Sequence, residues 1–164
     1  MPTLSATKKG LITGGVMIAL LLLSIYVLKF SSDSRFQYIN YIIYSMGIAW
    51  SILGFAHSAT PKTEFREYFA AGFKTFIVIT LLMVVYTFIF YSLHTEIRDA
   101  QIEANTQLLI QQHMHTSWEI QENAKQMKSI FITGKLASTS FLYLFLGAAI
   151  SALYSLMIMK KIKS

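Results

Sequence analysis

The stretch "EFREYFAAGFKTFIVITLLMVVYTFIFY", Glu64–Tyr91, decides the fold. It opens with Glu64, Arg66, Glu67 and Lys74 set among aromatic and small side chains, with Lys62 just before. After Lys74 no formal charge appears before Glu96. A helix that crosses a membrane needs about 20 mostly apolar residues to cover about 30 Å of hydrocarbon. Phe69–Leu93 meets that need, and so do the blocks Gly10–Phe30, Phe36–His57 and Leu136–Met159. Too little chain is left over for a soluble core. The expected fold is all-α: a four-helix transmembrane bundle forming one integral membrane domain over residues 1–164.

Composition points the same way. Of 164 residues, 54% are hydrophobic and 13% are charged, where a soluble domain carries about 25% charged residues. The formal charge is +6. A basic balance is one mark of a nucleic-acid binder. Here the bases gather at span ends, which fits lipid headgroups, so no nucleic-acid partner is expected. There is no cysteine, which removes disulfides, thiolate metal sites and a cysteine nucleophile. Lys8 and Lys9 ahead of an apolar run resemble a signal peptide. The run is longer than the 7–15 residues typical of one, roughly, so an uncleaved first span is expected.

Four spans put both termini on one side. That side, with the 58–74 connection, carries Lys8, Lys9, Lys62, Arg66, Lys74, Lys160, Lys161 and Lys163. The other side carries Lys29, Arg35, Arg98, Lys125, Lys128 and Lys135. Cytoplasmic loops hold the excess of Lys and Arg. Both termini are therefore expected in the cytoplasm, and residues 94–135 outside it.

The connection 94–135 has no proline, and its one glycine is Gly134. A loop that long without turn residues is improbable, so a helical extracytoplasmic segment is expected between spans three and four. "TEIRDAQIEANTQLLIQQ", residues 95–112, reads as a polar extension of span three. Thr116 and Glu119 have the spacing of a capping box, which predicts a second helix starting near Ser117. Ile120, Ala124, Met127 and Phe131 then share one face of it. Pro61 marks the turn between spans two and three, where Thr63 is a second capping candidate.

Gly10 and Gly14 in span one, and Gly147, Ser151 and Ser155 in span four, repeat at intervals of four. Small residues at that spacing let helix backbones approach closely in lipid. They are helix-packing candidates, within the bundle or between copies in a homo-oligomer. No span has a charge near its middle. Asn40, Thr80 and Thr87 are polar, but hydroxyls bond their own helix, so a proton-coupled path is disfavoured. His113 and His115, with Glu119 near, are a weak metal candidate, because residues two apart face different sides of a helix. A solvated turn is the expectation there, with no metal and no cofactor. No H-E-x-x-H, G-x-S-x-G or phosphate-cradling glycine loop is present, so no catalytic residue is assigned. Lys74, Lys62, Arg66, Lys160 and Lys161 are candidates for interfacial anchors or headgroup contacts, with their stems in hydrocarbon and their charges in water.

The whole chain resembles the domain of unknown function 4199 family, small bacterial membrane proteins found chiefly in Bacteroidetes. The likeness lies in Lys8-Lys9-Gly10-Leu11-Ile12 followed by Gly14-Gly15, in "GFAH" at Gly54–His57, and in the Phe-rich turn into Gly72-Phe73-Lys74. It extends to the helical outer segment and to a last span with Gly147 that ends in Lys160-Lys161. The resemblance implies an inner-membrane protein of no assigned activity, and it supplies no catalytic residues.

The expected function is that of a non-enzymatic, multi-pass inner-membrane protein, structural or partner-recruiting. Its partners would be the lipid bilayer and a membrane or cytoplasmic protein. Two other readings share the architecture. A membrane partner or carrier in polyprenyl-phosphate-sugar handling would need an apolar lateral groove with basic residues at its mouth. A small-solute transporter would need a polar cavity reaching the midplane.

Overall fold

A computed structural model describes residues 4–26, 34–58, 60, 63–111 and 116–163. Lys62, His113 and His115 lie outside them, so the anchor reading of the first and the metal reading of the other two fall outside the described residues. The described chain is all-α, with five helices and no strand. These are α1 (Ala6–Tyr26), α2 (Ser34–Ala56), α3 (Phe65–Leu93), α4 (Thr95–Gln111) and α5 (Ser117–Lys163). α1, α2, α3 and α5 are each long and apolar enough to cross a bilayer. Only a third or less of each candidate span is buried within the chain. Leu11, Val16, Leu81, Val85, Phe145 and Leu153 all stand exposed. Large apolar surfaces of this kind are unfavourable in water and ordinary against lipid.

The chain falls into two compact units, residues 1–83 with 140–164, and residues 84–139. In the first, small residues set the helix order. A Cβ at Gly10 would lie 2.9 Å from the Thr75 carbonyl oxygen, and one at Gly14 2.6 Å from Leu82 Cδ1. α1 and α3 thus run side by side in the same direction. Gly47 faces Thr13 and Gly54 faces Lys9, so α2 runs against α1. Gly72 faces Ser151, and Gly147 faces Tyr44 and Phe76, so the end of α5 runs against α3. The starts of α1 and α3 therefore share one end of this unit with the finishes of α2 and α5. Met17, Tyr44, Ile48, Ile52 and Ile79 are fully enclosed between the helices. The Tyr44 hydroxyl donates to the Tyr143 carbonyl at 2.6 Å, and the two rings meet edge-on at 5.1 Å.

The second unit holds the end of α3, all of α4 and the first part of α5. α5 begins where the capping box places it. Thr116 N–H donates to Glu119 Oε2 at 2.7 Å, and Glu119 N–H donates back to Thr116 Oγ1 at 3.3 Å. The expected apolar face makes contact too. Asn105 Nδ2 on α4 donates to Met127 Sδ at 3.0 Å, and Phe131 meets Tyr91 edge-on at 5.3 Å. The Lys135 ammonium lies 5.6 Å from the Tyr91 ring centre and 5.4 Å from that of Phe131. On α4, Arg98 Nε donates to Asp99 Oδ1 at 3.0 Å and holds that exposed carboxyl below its usual range.

Three local expectations are corrected. The polar arm does not extend span three as one helix, because a non-helical residue, His94, separates α3 from α4. Its ring Nδ1 lies 3.0 Å from the Phe90 carbonyl oxygen, the same acceptor its own N–H uses, and its ring stacks on Phe90. Such side-chain competition disturbs the helix ladder. Span four is no separate helix either, since α5 passes through Gly134 without a break. A lone glycine costs a helix only about 1 kcal/mol, and there is no proline to end it. At the start of α3, the Thr63 hydroxyl accepts from Thr60 N–H at 2.9 Å. The reach-back cap is made by Glu67, whose Oε2 accepts from Glu64 N–H at 3.0 Å.

Candidate functional site: a lysine-floored cavity

Three helix ends meet where α1 and α3 start and α2 finishes. Ser5 opens α1, its side chain accepting from Lys8 N–H at 3.4 Å and its carbonyl from Lys9 N–H at 3.0 Å. The Thr75 hydroxyl lies 3.2 Å from both the Ala6 and the Ala71 carbonyl oxygens, tying α3 to the first turn of α1. The Ser51 hydroxyl donates to the Ala71 carbonyl at 3.2 Å, tying α2 to α3. Between these ends lies a cavity of about 410 Å³. Buried Lys9, Ser51 and Ala71 form its floor, and exposed Ser5, Ser58, Glu67 and Lys74 form its rim. Leu4, Ala6, Phe55 and Ala70 supply apolar wall.

Lys9 is the unusual member. Its side chain is buried, with 5% of the residue exposed. Its Nζ donates to the Trp50 carbonyl at 3.2 Å and sits 5.4 Å from the Trp50 ring centre. Gly54 makes this reach feasible, because a Cβ there would run into Nζ. Among the described residues, no carboxylate lies within ion-pair distance of Lys9 or Lys74. An ammonium carries three donors and desolvates at high cost. One carbonyl and the face of an indole meet part of that demand, and the cavity is where the rest can be met. Glu67 is the acid of the rim, and its carboxylate already caps α3. The site can therefore receive an acceptor-rich group from outside the chain.

The other candidate residues are placed as follows. Lys74 is exposed on the rim, off the packed face of α3. Arg66 is exposed beside it and lines a second recess with Glu64, Glu67 and Ala70. Lys160 and Lys161 are exposed near the end of α5. Gly10, Gly14, Gly147, Ser151 and Ser155 are all buried in the first unit. The Ser151 and Ser155 hydroxyls have no hydrogen-bond partner among the described residues. No group of three metal-ligating side chains occurs among the described residues. In the sequence Lys74 stands out at the mouth of an apolar run, whereas Lys9 reads only as one of a basic pair. The signal for Lys9 was its register, four residues before Thr13 on the face that carries Gly10 and Gly14.

No curated protein and no solved structure matches the chain. Residues 8–160 match the family described as "Protein of unknown function (DUF4199)", a span that contains the cavity's Lys9, Gly54 and Lys74 and the packed glycines Gly10, Gly14 and Gly147. On that match over nearly its whole length, the chain belongs to this family of unknown function.

Proposed function

We propose that this protein is a non-enzymatic, multi-pass subunit of the bacterial inner membrane, with both termini in the cytoplasm, that holds or recruits a partner there. The observation that carries this reading is how the spans use their polar groups. Thr13 donates to the Lys9 carbonyl, Ser24 to Leu21 and Thr80 to Phe76, each within its own helix, and Ser51 and Thr75 reach carbonyls where helices meet; the Ser151 and Ser155 hydroxyls and Asn40 Oδ1 are buried without a partner among the described residues. Hydroxyls spent in this way support a packed scaffold rather than a wet path through the membrane. Co-purification from native membranes tests it. A protein or lipid retained in fixed proportion is the expected result. Saturable solute uptake by vesicles holding only this chain would instead favour the transporter.

A second reading has its own support. A protein that handles a lipid-linked phosphate needs an apolar recess with basic residues at its mouth. The cavity bounded by Leu4, Phe55 and Ala70, with Lys9 and Lys74, has that mixture. This supports a membrane partner or carrier for a phosphate-bearing amphiphile.

A further inference from the structure

We infer that the cavity floored by Lys9 is a binding site for a phosphate group, carried on a headgroup that also bears a hydroxyl or an amine. This rests on the second reading above. Lys9 is 5% exposed, its one hydrogen bond among the described residues goes to the Trp50 carbonyl, and it lines a cavity of about 410 Å³. A buried ammonium so placed is stabilised by an anion more than by a neutral ligand, because two opposite charges attract strongly where little water screens them.

The surroundings narrow the class. Lys74 stands on the rim as a second cation. α1 begins at Ala6 on the cavity wall; Ser5 already takes the Lys8 and Lys9 N–H groups, which leaves the first-turn N–H groups of Ala6 and Thr7 for an anion. Two cations and a helix start fit phosphate oxygens better than the two oxygens of a lone carboxylate. The volume falls within the range of about 300–1,000 Å³ typical of ligand pockets, more than inorganic phosphate needs. Leu4 and Phe55 on the wall give the remainder of a headgroup and the top of an acyl chain somewhere apolar to lie. Glu67, the acid of the rim, would repel a bare anion but accepts a hydrogen bond from a hydroxyl or ammonium on the same headgroup. One phosphate chemistry thus has two sources, a membrane lipid or a soluble phosphate ester.

The chain carries its own reporter. Trp50 touches Lys9, and the other tryptophan, Trp118, is exposed on α5. Trp118→Phe leaves Trp50 as the single emitter. In maltoside detergent this variant is titrated with dihexanoyl phosphatidylglycerol and, separately, with inorganic phosphate and glycerol phosphate. Native mass spectrometry counts bound lipid in parallel. The expected result is a saturable change in Trp50 emission with one bound equivalent. Lys9→Met should weaken it about tenfold or more, Lys74→Gln severalfold, and Lys8→Met not at all. If Lys9→Met does not fold, the comparison of Lys74→Gln with Lys8→Met carries the test.

Saturation by the lipid alone assigns the site to a membrane headgroup. Saturation by the soluble phosphates alone keeps the site and removes the lipid-handling reading, so the two ideas fail separately. No saturable response to any of the three, or affinity in Lys9→Met and Lys74→Gln equal to that of the Trp118→Phe parent, overturns the inference.

Discussion

A helix turns about 100° per residue, so Lys8 and Lys9, adjacent in the chain, meet different surroundings. Lys8 is exposed, while Lys9 lies on the stripe of Gly10, Thr13, Gly14 and Met17 that packs into the first unit. The charge pattern alone treats the two as one basic pair, which is why Lys9 was illegible until α2 was seen to cross it at Gly54. The exposed position of Lys74 was legible, because it stands at the mouth of an apolar run. Each residue gives a prediction. Gly54→Ala puts a methyl into the space of Lys9 Nζ, the end of a flexible stem that can swing aside, and should cost at most about 1 kcal/mol, the low end of overpacking. The same change in a Lys9→Ala background should cost clearly less, since contacting residues are not additive. Unfolding midpoints in detergent for the four proteins of this cycle check it, and full additivity would show that Lys9 does not occupy that space. For Lys74, an anchoring role requires length and charge only. Lys74→Arg should therefore preserve expression, topology and complementation of a deletion strain. Loss of complementation by a normally inserted Lys74→Arg would give the lysine a specific task.

At the scale of elements, what was local was readable and what depended on neighbours was not. The start of α5 is an example. Thr116 and Glu119 satisfy each other's backbone donors three residues apart, which requires nothing from the rest of the fold. Thr116→Ala should cost about 0.5–2 kcal/mol. The cost should appear as faster amide exchange over residues 117–121 with none at Phe131, whose contact with Tyr91 is independent of the cap. Protection unchanged at the start of the helix would mean that the cap contributes nothing. The interruption at His94 was not readable, because it accompanies where one imidazole finds an acceptor. The unbroken passage through Gly134 was readable in principle. A Cβ there would meet nothing within 4 Å, so the glycine serves no close approach, and it costs the helix little. Gly134→Ala should accordingly be neutral or slightly stabilising, by up to about 1 kcal/mol. Gly72→Ala, which pushes into Ser151, should destabilise. A reversed order for the two alanine variants would mean that α3 and α5 do not pack at Gly72.

For the whole molecule, span count and charge placement carry different parts of the topology. Four apolar helices, with α1 and α3 running against α2 and the end of α5, bring the start of α1 and the finish of α5 to one face of the first unit. Lys9, Arg66, Lys74, Lys160 and Lys161 all belong to that face. Packing is indifferent to which side of the membrane it meets, because a bundle turned over keeps every contact. Only the bases distinguish the two orientations, through their excess on the cytoplasmic side. The absence of cysteine makes this directly measurable. Single cysteines at Ser58, Gln112 and Ser164 are exposed in turn to an impermeant maleimide on intact spheroplasts. Gln112→Cys should label at once, and Ser58→Cys and Ser164→Cys only after lysis. The opposite pattern would put the termini outside and carry the Lys9 cavity to the outer leaflet with them. Labelling at all three sites in intact spheroplasts would contradict the span assignment itself. The expected pattern places the cavity at the cytoplasmic headgroups, where negative surface potential concentrates cations and anionic lipid is the nearest partner for a buried ammonium.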